Sequence, residues 1–179
     1  MGDPRRLRNA YERPKKLWDK DRLEEEKGLR DGYGLKNMRE LWRATAELKK
    51  YRREARRLLS ITLEERKEGS KVLLKKMSRL SLLREGAEVD EVLSLEVKSV
   101  LERRLQTMVL RAGLARSFAQ SRQLITHGFV KVNGRVVTKP GYLVRTEDQV
   151  SYAKPIDITV KEAAKPAPAE NKTEVKAAS

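Results

Sequence analysis

Between residues 113 and 134 the chain has to change direction sharply three times, at Gly113, at Gly128 and at Asn133-Gly134. Only short elements fit between such points. The surrounding stretch, residues 103–152, reads RRLQTMVLRAGLARSFAQSRQLITHGFVKVNGRVVTKPGYLVRTEDQVSY. Leu101, Leu105, Met108, Val109 and Ala112 lie at i, i+4, i+7, i+8 and i+11, one face of a helix, and Gly113 is placed to end it. Ser117 followed by Gln120 is a capping-box signature for a second helix over 118–127, closed by Gly128. Val130, Val132 and Val137 alternate around Asn133-Gly134, the preferred pair for a type I′ turn, so all three reach one face of a hairpin. A further turn at Lys139–Tyr142 and a strand over 148–152 complete a unit of two helices and a small twisted sheet.

Cationic and amide side chains crowd this unit. Arg103, Arg104 and Arg111 fall off the apolar face of the first helix. On the second, Arg122 with Thr126 and Gln123 with His127 are i, i+4 pairs, approached by Arg116 and capped by Ser117. Lys131 points away from the valines, and Asn133, Gly134 and Arg135 form or flank the hairpin tip. No acidic residue interrupts residues 103–146. Arginine can fork onto phosphate oxygens, and glutamine, histidine and asparagine can reach sugar or base edges. These residues are the expected anion-binding set.

The charge of the whole chain agrees. Lys and Arg number 41 against 26 acids, a net charge of +15, which draws polyanions to a surface. The excess is uneven: residues 1–59 carry net +8, 60–100 net 0, 101–152 net +6 and 153–179 net +1. Two basic regions flank a neutral middle, a pattern for two nucleic-acid contacts on one scaffold. There are no cysteines and one histidine, which excludes disulfides, thiolate metal sites and multi-histidine sites. We expect no cofactor and no metal. No segment approaches the roughly 18 apolar residues of a membrane span, and the start resembles no signal peptide, so an intracellular protein without membrane attachment is expected.

Residues 1–18 hold Arg5, Arg6, Arg8, Arg13, Lys15 and Lys16 with two prolines, an extended arm that can order on phosphates. A helix is expected over 19–31, stopped by Gly32 and Gly34. Asn37 is the N-cap of a long helix over 38–59. Its apolar stripe is Leu41, Ala44, Thr45, Leu48, Tyr51 and Ala55, opposite Arg43, Lys49, Lys50, Arg52, Arg53, Arg56 and Arg57. That one-signed run is more than a solvated face needs. Thr62 and Glu65 form another capping box for a helix to about Leu83, with Val72, Leu73, Met77, Leu80 and Leu83 as its core face. Ser94 is a further N-cap, for a helix through Leu101. Ile156, Ile158 and Val160 allow a short strand, and the rest of 153–179 is low-complexity and expected to be disordered. The fold class is α+β: a basic arm (1–18), a helical domain (19–100), a helix-helix-sheet module (101–152) and a disordered tail (153–179).

RLQTMVLRAGLARSFAQSRQLITHGFVKVNGRVV resembles the RNA-binding domain named after the fourth small-subunit ribosomal protein. YGLKNMRELWRA, LKKYRREARRLLS and VLSLEVKSVLERRLQT extend the resemblance to that ribosomal protein family itself, in its archaeal and eukaryotic branch. The cysteine knuckle of some bacterial members is missing, so no zinc carries over. The resemblance implies a structural constituent of the cytoplasmic small ribosomal subunit that binds ribosomal RNA early in assembly. It implies a place near the messenger entry, beside messenger RNA and neighbours such as the third and fifth small-subunit proteins. On matching positions it carries RNA contact to Arg116, Arg122, Gln123, His127, Asn133 and Arg135. The same module accompanies catalytic domains elsewhere, but the remaining hundred residues show no phosphate loop, triad or acid-lined motif, so an enzyme is not expected. A free-standing RNA chaperone carrying the module is the alternative, and such proteins are usually shorter.

Overall fold

The computed structural model describes residues 9–84 and 86–154; Arg5, Arg6, Arg8 and the expected strand around Ile156–Val160 lie outside them. Among the described residues seven helices precede a three-stranded sheet: α1 (Lys20–Gly32), α2 (Met38–Leu59), α3 (Leu63–Arg79), α4 (Val89–Ser94), α5 (Val97–Glu102), α6 (Leu105–Arg111) and α7 (Phe118–Thr126), then β1 (Val130–Val132), β2 (Arg135–Val136) and β3 (Val150–Tyr152). The mixed helix-and-sheet architecture is the α+β class read from the sequence.

Helix α2 is the spine. Its stripe of Leu41, Ala44, Leu48, Tyr51 and Ala55 is buried along its length. The first half packs with Leu35 and with Val100 and Leu101 of α5; the second packs with Leu73 and Met77 of α3 and Val89 and Val92 of α4. A separate cluster of Leu105, Val109, Leu124, Ile125, Val130, Val132 and Val144 fills the space between α6, α7 and the sheet. Strand β1 is central, antiparallel to both neighbours, with Val132 opposite Arg135 on one side and Val150 on the other. Asn133 at φ +50 and Gly134 at φ +78 make the left-handed pair that a type I′ turn requires. Val130, Val132 and Val137 reach the same apolar cluster, as the alternation predicts.

Helix ends are where sequence and structure part. Leu101 ends up in α5 and Leu105, Met108 and Val109 in α6, so the face expected to run from Leu101 to Ala112 is split between two helices. The amide of Leu105 donates to Tyr142 O at 2.7 Å and that of Gln106 to Pro140 O at 3.3 Å, while Val144 N donates to Arg103 O at 2.9 Å. The 140–144 segment thus supplies the carbonyls that the first turn of α6 lacks, and the helical ladder is interrupted at Arg103-Arg104. Ser94 is the last residue of α4 rather than a cap; its hydroxyl donates to Glu91 O at 2.9 Å, and the cap before α5 is Glu96. Asn37 and Thr62 occupy cap positions without a side-chain bond to the helix. Helix α3 stops at Arg79 instead of Leu83, since Ser81 turns to φ +49 and Leu82 N donates back to Met77 O at 3.1 Å, the 6→1 closure of a Schellman end. Val72 is 72 % exposed and, among the described residues, belongs to no core cluster.

Candidate nucleic-acid interface

Two exposed cationic surfaces are connected through a largely buried ion-pair cluster. The first is the outer face of α2. Arg39, Arg43, Lys50, Arg53 and Arg57 are exposed at i, i+4, i+11, i+14 and i+18, opposite the buried stripe. At 1.5 Å per residue the ridge extends about 27 Å. Arg39 was not singled out by the sequence reading, although its i−4 spacing from Arg43 carried the signal. Arg56 is exposed beside the ridge. Lys49 lies at its margin, paired at 3.1 Å with Glu12, whose carboxyl the lysine holds below its ordinary value by hydrogen bond and charge. Arg52 belongs elsewhere: its Nη2 donates to Leu95 O at 2.5 Å and ties α2 to the α4–α5 turn. Lys15 and Lys16 are exposed in the arm that leads to α1.

The second surface is the outer side of α7 and the hairpin. Ser117 caps α7 by accepting from Gln120 N at 3.2 Å, and the Gln120 side chain accepts from Arg116 N at 2.8 Å. The reciprocal bond of a capping box is therefore displaced by one residue, which orders the backbone under Arg116. Arg116, Gln123, Thr126 and His127 are exposed at helical spacing, and Gly134 and Arg135 are exposed at the hairpin. Lys131 is half-buried. Asn133 has internal partners: its amide donates to Asp148 at 2.7 Å and its oxygen accepts from Gln149 N at 2.9 Å. These bonds fasten the hairpin tip to the 145–149 turn. Arg111 is exposed but paired with Glu102 at 3.1 Å, and Tyr33 donates to the same carboxylate at 3.0 Å; burial and that bond raise the Tyr33 phenol.

The connection between the two surfaces corrects the expected acid-free cluster. Glu40, in the first turn of α2, accepts from Arg104 at 2.8 Å and from Arg122 of α7 in a short bond. Arg104 is 5 % exposed and bridges backbone to Leu143, so it is a structural cation, not a contact surface. Arg122 is three-quarters buried and also donates to Gln106 Oε1 at 3.3 Å. Gln106, itself buried, donates at 3.0 Å to both Gly34 O and Phe118 O, and Ser121 donates to Gln106 O at 2.7 Å. Gly34, at φ +57, lets this turn meet α7: a Cβ there would stand 2.3 Å from that of Phe118. Burial alone would raise the Glu40 carboxyl, but its bonds to the two guanidiniums outweigh that and hold it below the ordinary carboxylate value. Arg103 is likewise turned inward, donating to Val144 O at 3.2 Å, with its pKa lowered by burial. Pairs separated by 64 and 82 residues leave no trace in local spacing, which is why the sequence reading counted Arg104 and Arg122 among the open donors.

Among the described residues no helix is long and apolar enough to cross a membrane, and no group of three metal-ligating side chains converges. Helix α6, α7 and the hairpin make up the part of the chain, residues 103–150, that matches the family model for the S4 domain. Fold and match together define a protein built around an S4 domain, held against a helical scaffold. Beyond the domain, the chain is 49 % identical over 155 residues to a protein of Ignicoccus hospitalis named small ribosomal subunit protein uS4, covering 86 % of this chain and 93 % of the relative. Proteins of the same name from Korarchaeum cryptofilum (49 % over 151 residues, 83 % and 89 % covered) and Methanoregula boonei (47 % over 162 residues, 86 % of each) are similarly related. The chain belongs to the uS4 family of small ribosomal subunit proteins.

Proposed function

We propose that this chain is a structural, RNA-binding constituent of the small ribosomal subunit in the cytoplasm, gripping folded ribosomal RNA between the α2 ridge and the outer side of α7. The observation that carries the reading is a rigid pairing of two exposed basic surfaces through the Glu40 cluster, in a chain of uS4 kinship. Phosphate contacts from Arg43, Lys50, Arg53, Arg56 and Arg57 would position the particle. Arg116, Gln123, His127 and Arg135 would read the shape and edges of the RNA. Lys15 and Lys16 would extend the grip from an arm (1–18) that orders on the RNA. In this reading 19–100 is scaffold, 101–152 is the recognition module, and 153–179 is a tail.

An early role in subunit assembly belongs to the same proposal, and a pre-formed clamp that can hold two RNA segments before other proteins arrive supports it. Proximity to the messenger entry, and neighbours such as the third and fifth small-subunit proteins, belong to this proposal as well. The test is sedimentation: the tagged chain should travel with the small subunit through a low-salt gradient and be found in early assembly particles. A free pool at every salt concentration would favour an RNA chaperone instead.

A further inference from the structure

The middle of the chain carries no net charge, yet the fold sorts its charges along α3. Its first turns hold Glu64, Glu65 and Glu68 together with Arg66 and Lys67, and its last turns hold Lys71, Lys75, Lys76 and Arg79 without an acid. Part of that order is a helix-dipole effect, which favours acids at the start and cations at the end. The dipole does not explain what faces the cationic end. A cleft of about 320 Å³ is lined by Val72, Lys75, Lys76, Arg79 and Leu80 of the α3 end together with Arg145, from the turn before β3. Four cations from two distant parts of the chain line it without an acid.

The two walls are fastened to each other. Thr146 N donates to Arg79 O at 2.8 Å, the Thr146 hydroxyl donates to Ser78 O at 3.2 Å and Arg79 O at 3.1 Å, and it lies 2.6 Å from that of Ser81. No carboxylate of the neighbouring elements is among the residues that line the cleft. Asp148 accepts from Asn133 and from Arg145 N at 2.8 Å. Glu47 is partly buried, and burial raises its pKa although Lys76 opposes that. Glu147 is exposed in the same turn as Arg145. Lys76 rests over the Tyr51 ring at 5.1 Å. Bringing Arg145 onto a cationic helix end costs repulsion that an anion would offset.

We propose that Lys75, Lys76, Arg79 and Arg145 form a third phosphate-binding site, which takes an RNA backbone crossing the seam between α3 and the module. Val72 would lie against sugar or base at its edge. The inference rests on the RNA-binding reading above and extends it to a segment that composition marks as neutral.

The test uses the full chain, a small-subunit ribosomal RNA transcript and the variant Lys75→Gln/Arg145→Gln, with Lys20→Gln/Lys27→Gln on α1 as control. Losing two phosphate contacts should reduce the log–log salt slope by about 1.5–2. Between 50 and 200 mM salt the variant should then lose about tenfold less affinity than the parent, with an unchanged melting temperature. An unchanged slope, or the same change in the control, overturns the site. If the parent itself fails to bind, the RNA-binding reading has failed first. A photo-crosslinking residue at Val72 gives an independent readout in reconstituted subunits: adducts to RNA support the site, and adducts only to protein overturn it in favour of an acidic protein neighbour.

Discussion

Replacing Glu40 by alanine should do more damage than any loss of a surface charge. The Glu40 side chain is 18 % exposed, that of Arg104 7 % and that of Arg122 23 %, so the variant leaves two largely desolvated guanidiniums facing each other. Removing one partner of a buried pair costs about 3–5 kcal/mol, and partial exposure of Glu40 and Arg122 places the expected loss near the lower end, about 3 kcal/mol. With a urea m-value of about 2 kcal/mol/M, the denaturation midpoint should fall by about 1.5 M. The sign with pH follows from the depressed carboxyl. Glu40 stabilises the fold fully above its unfolded pKa, and this contribution disappears as pH falls through its lower folded value. Parent and variant should therefore differ most near neutrality and converge in acid. A Glu40/Arg104 double-mutant cycle should return a coupling of about 1.5 kcal/mol or more. A midpoint shift below about 0.3 M at pH 7, or no convergence in acid, would refute the view that Glu40 joins the scaffold to the module.

Other perturbations separate folding from binding. Arg116→Gln should weaken RNA binding by about 3- to 10-fold without moving the melting temperature, while Arg122→Gln should lower stability by about 1–3 kcal/mol; equal effects on both readouts would mean that the two arginines are not differently placed. Gly34→Ala should cost about 2–4 kcal/mol in denaturant, combining a left-handed backbone with the clash against Phe118, and a neutral result would show that the turn can retreat from α7. Asn133→Ala should destabilise by about 1–2 kcal/mol, since it loses both the left-handed preference and the bonds to Asp148 and Gln149; amide exchange of the 145–149 turn should accelerate with it.

What could be read in advance was local. Residues 38–59 formed the long helix within its expected bounds because its stripe of Leu41, Ala44, Leu48, Tyr51 and Ala55 has unbroken periodicity. The Asn133-Gly134 turn followed from backbone chemistry that few other pairs satisfy. Misreadings arose where a distant segment supplied what the local pattern could not show. Leu101 and Leu105 have helical spacing, yet the amide of Leu105 bonds to Tyr142 O. Val72 has the spacing of a core residue, yet Leu73 and Met77 of the same stripe are buried while Val72 is exposed. Arg104 and Arg122 resemble open phosphate ligands until Glu40 is placed against them. The neutral total of residues 60–100 averages over the acid-free end of α3, and no local spacing brings Arg145 to it.

The claim that two exposed basic surfaces act together on one RNA is tested most directly by the salt dependence of binding to small-subunit ribosomal RNA. The full chain should give a log–log slope of about −4 to −7, as six to ten neutralised phosphates require. Neutralising Arg43, Lys50 and Arg53 to glutamine should reduce the slope by about 2–3 with the fold intact. A flat response in the parent, or a slope indifferent to the α2 ridge, would contradict the account.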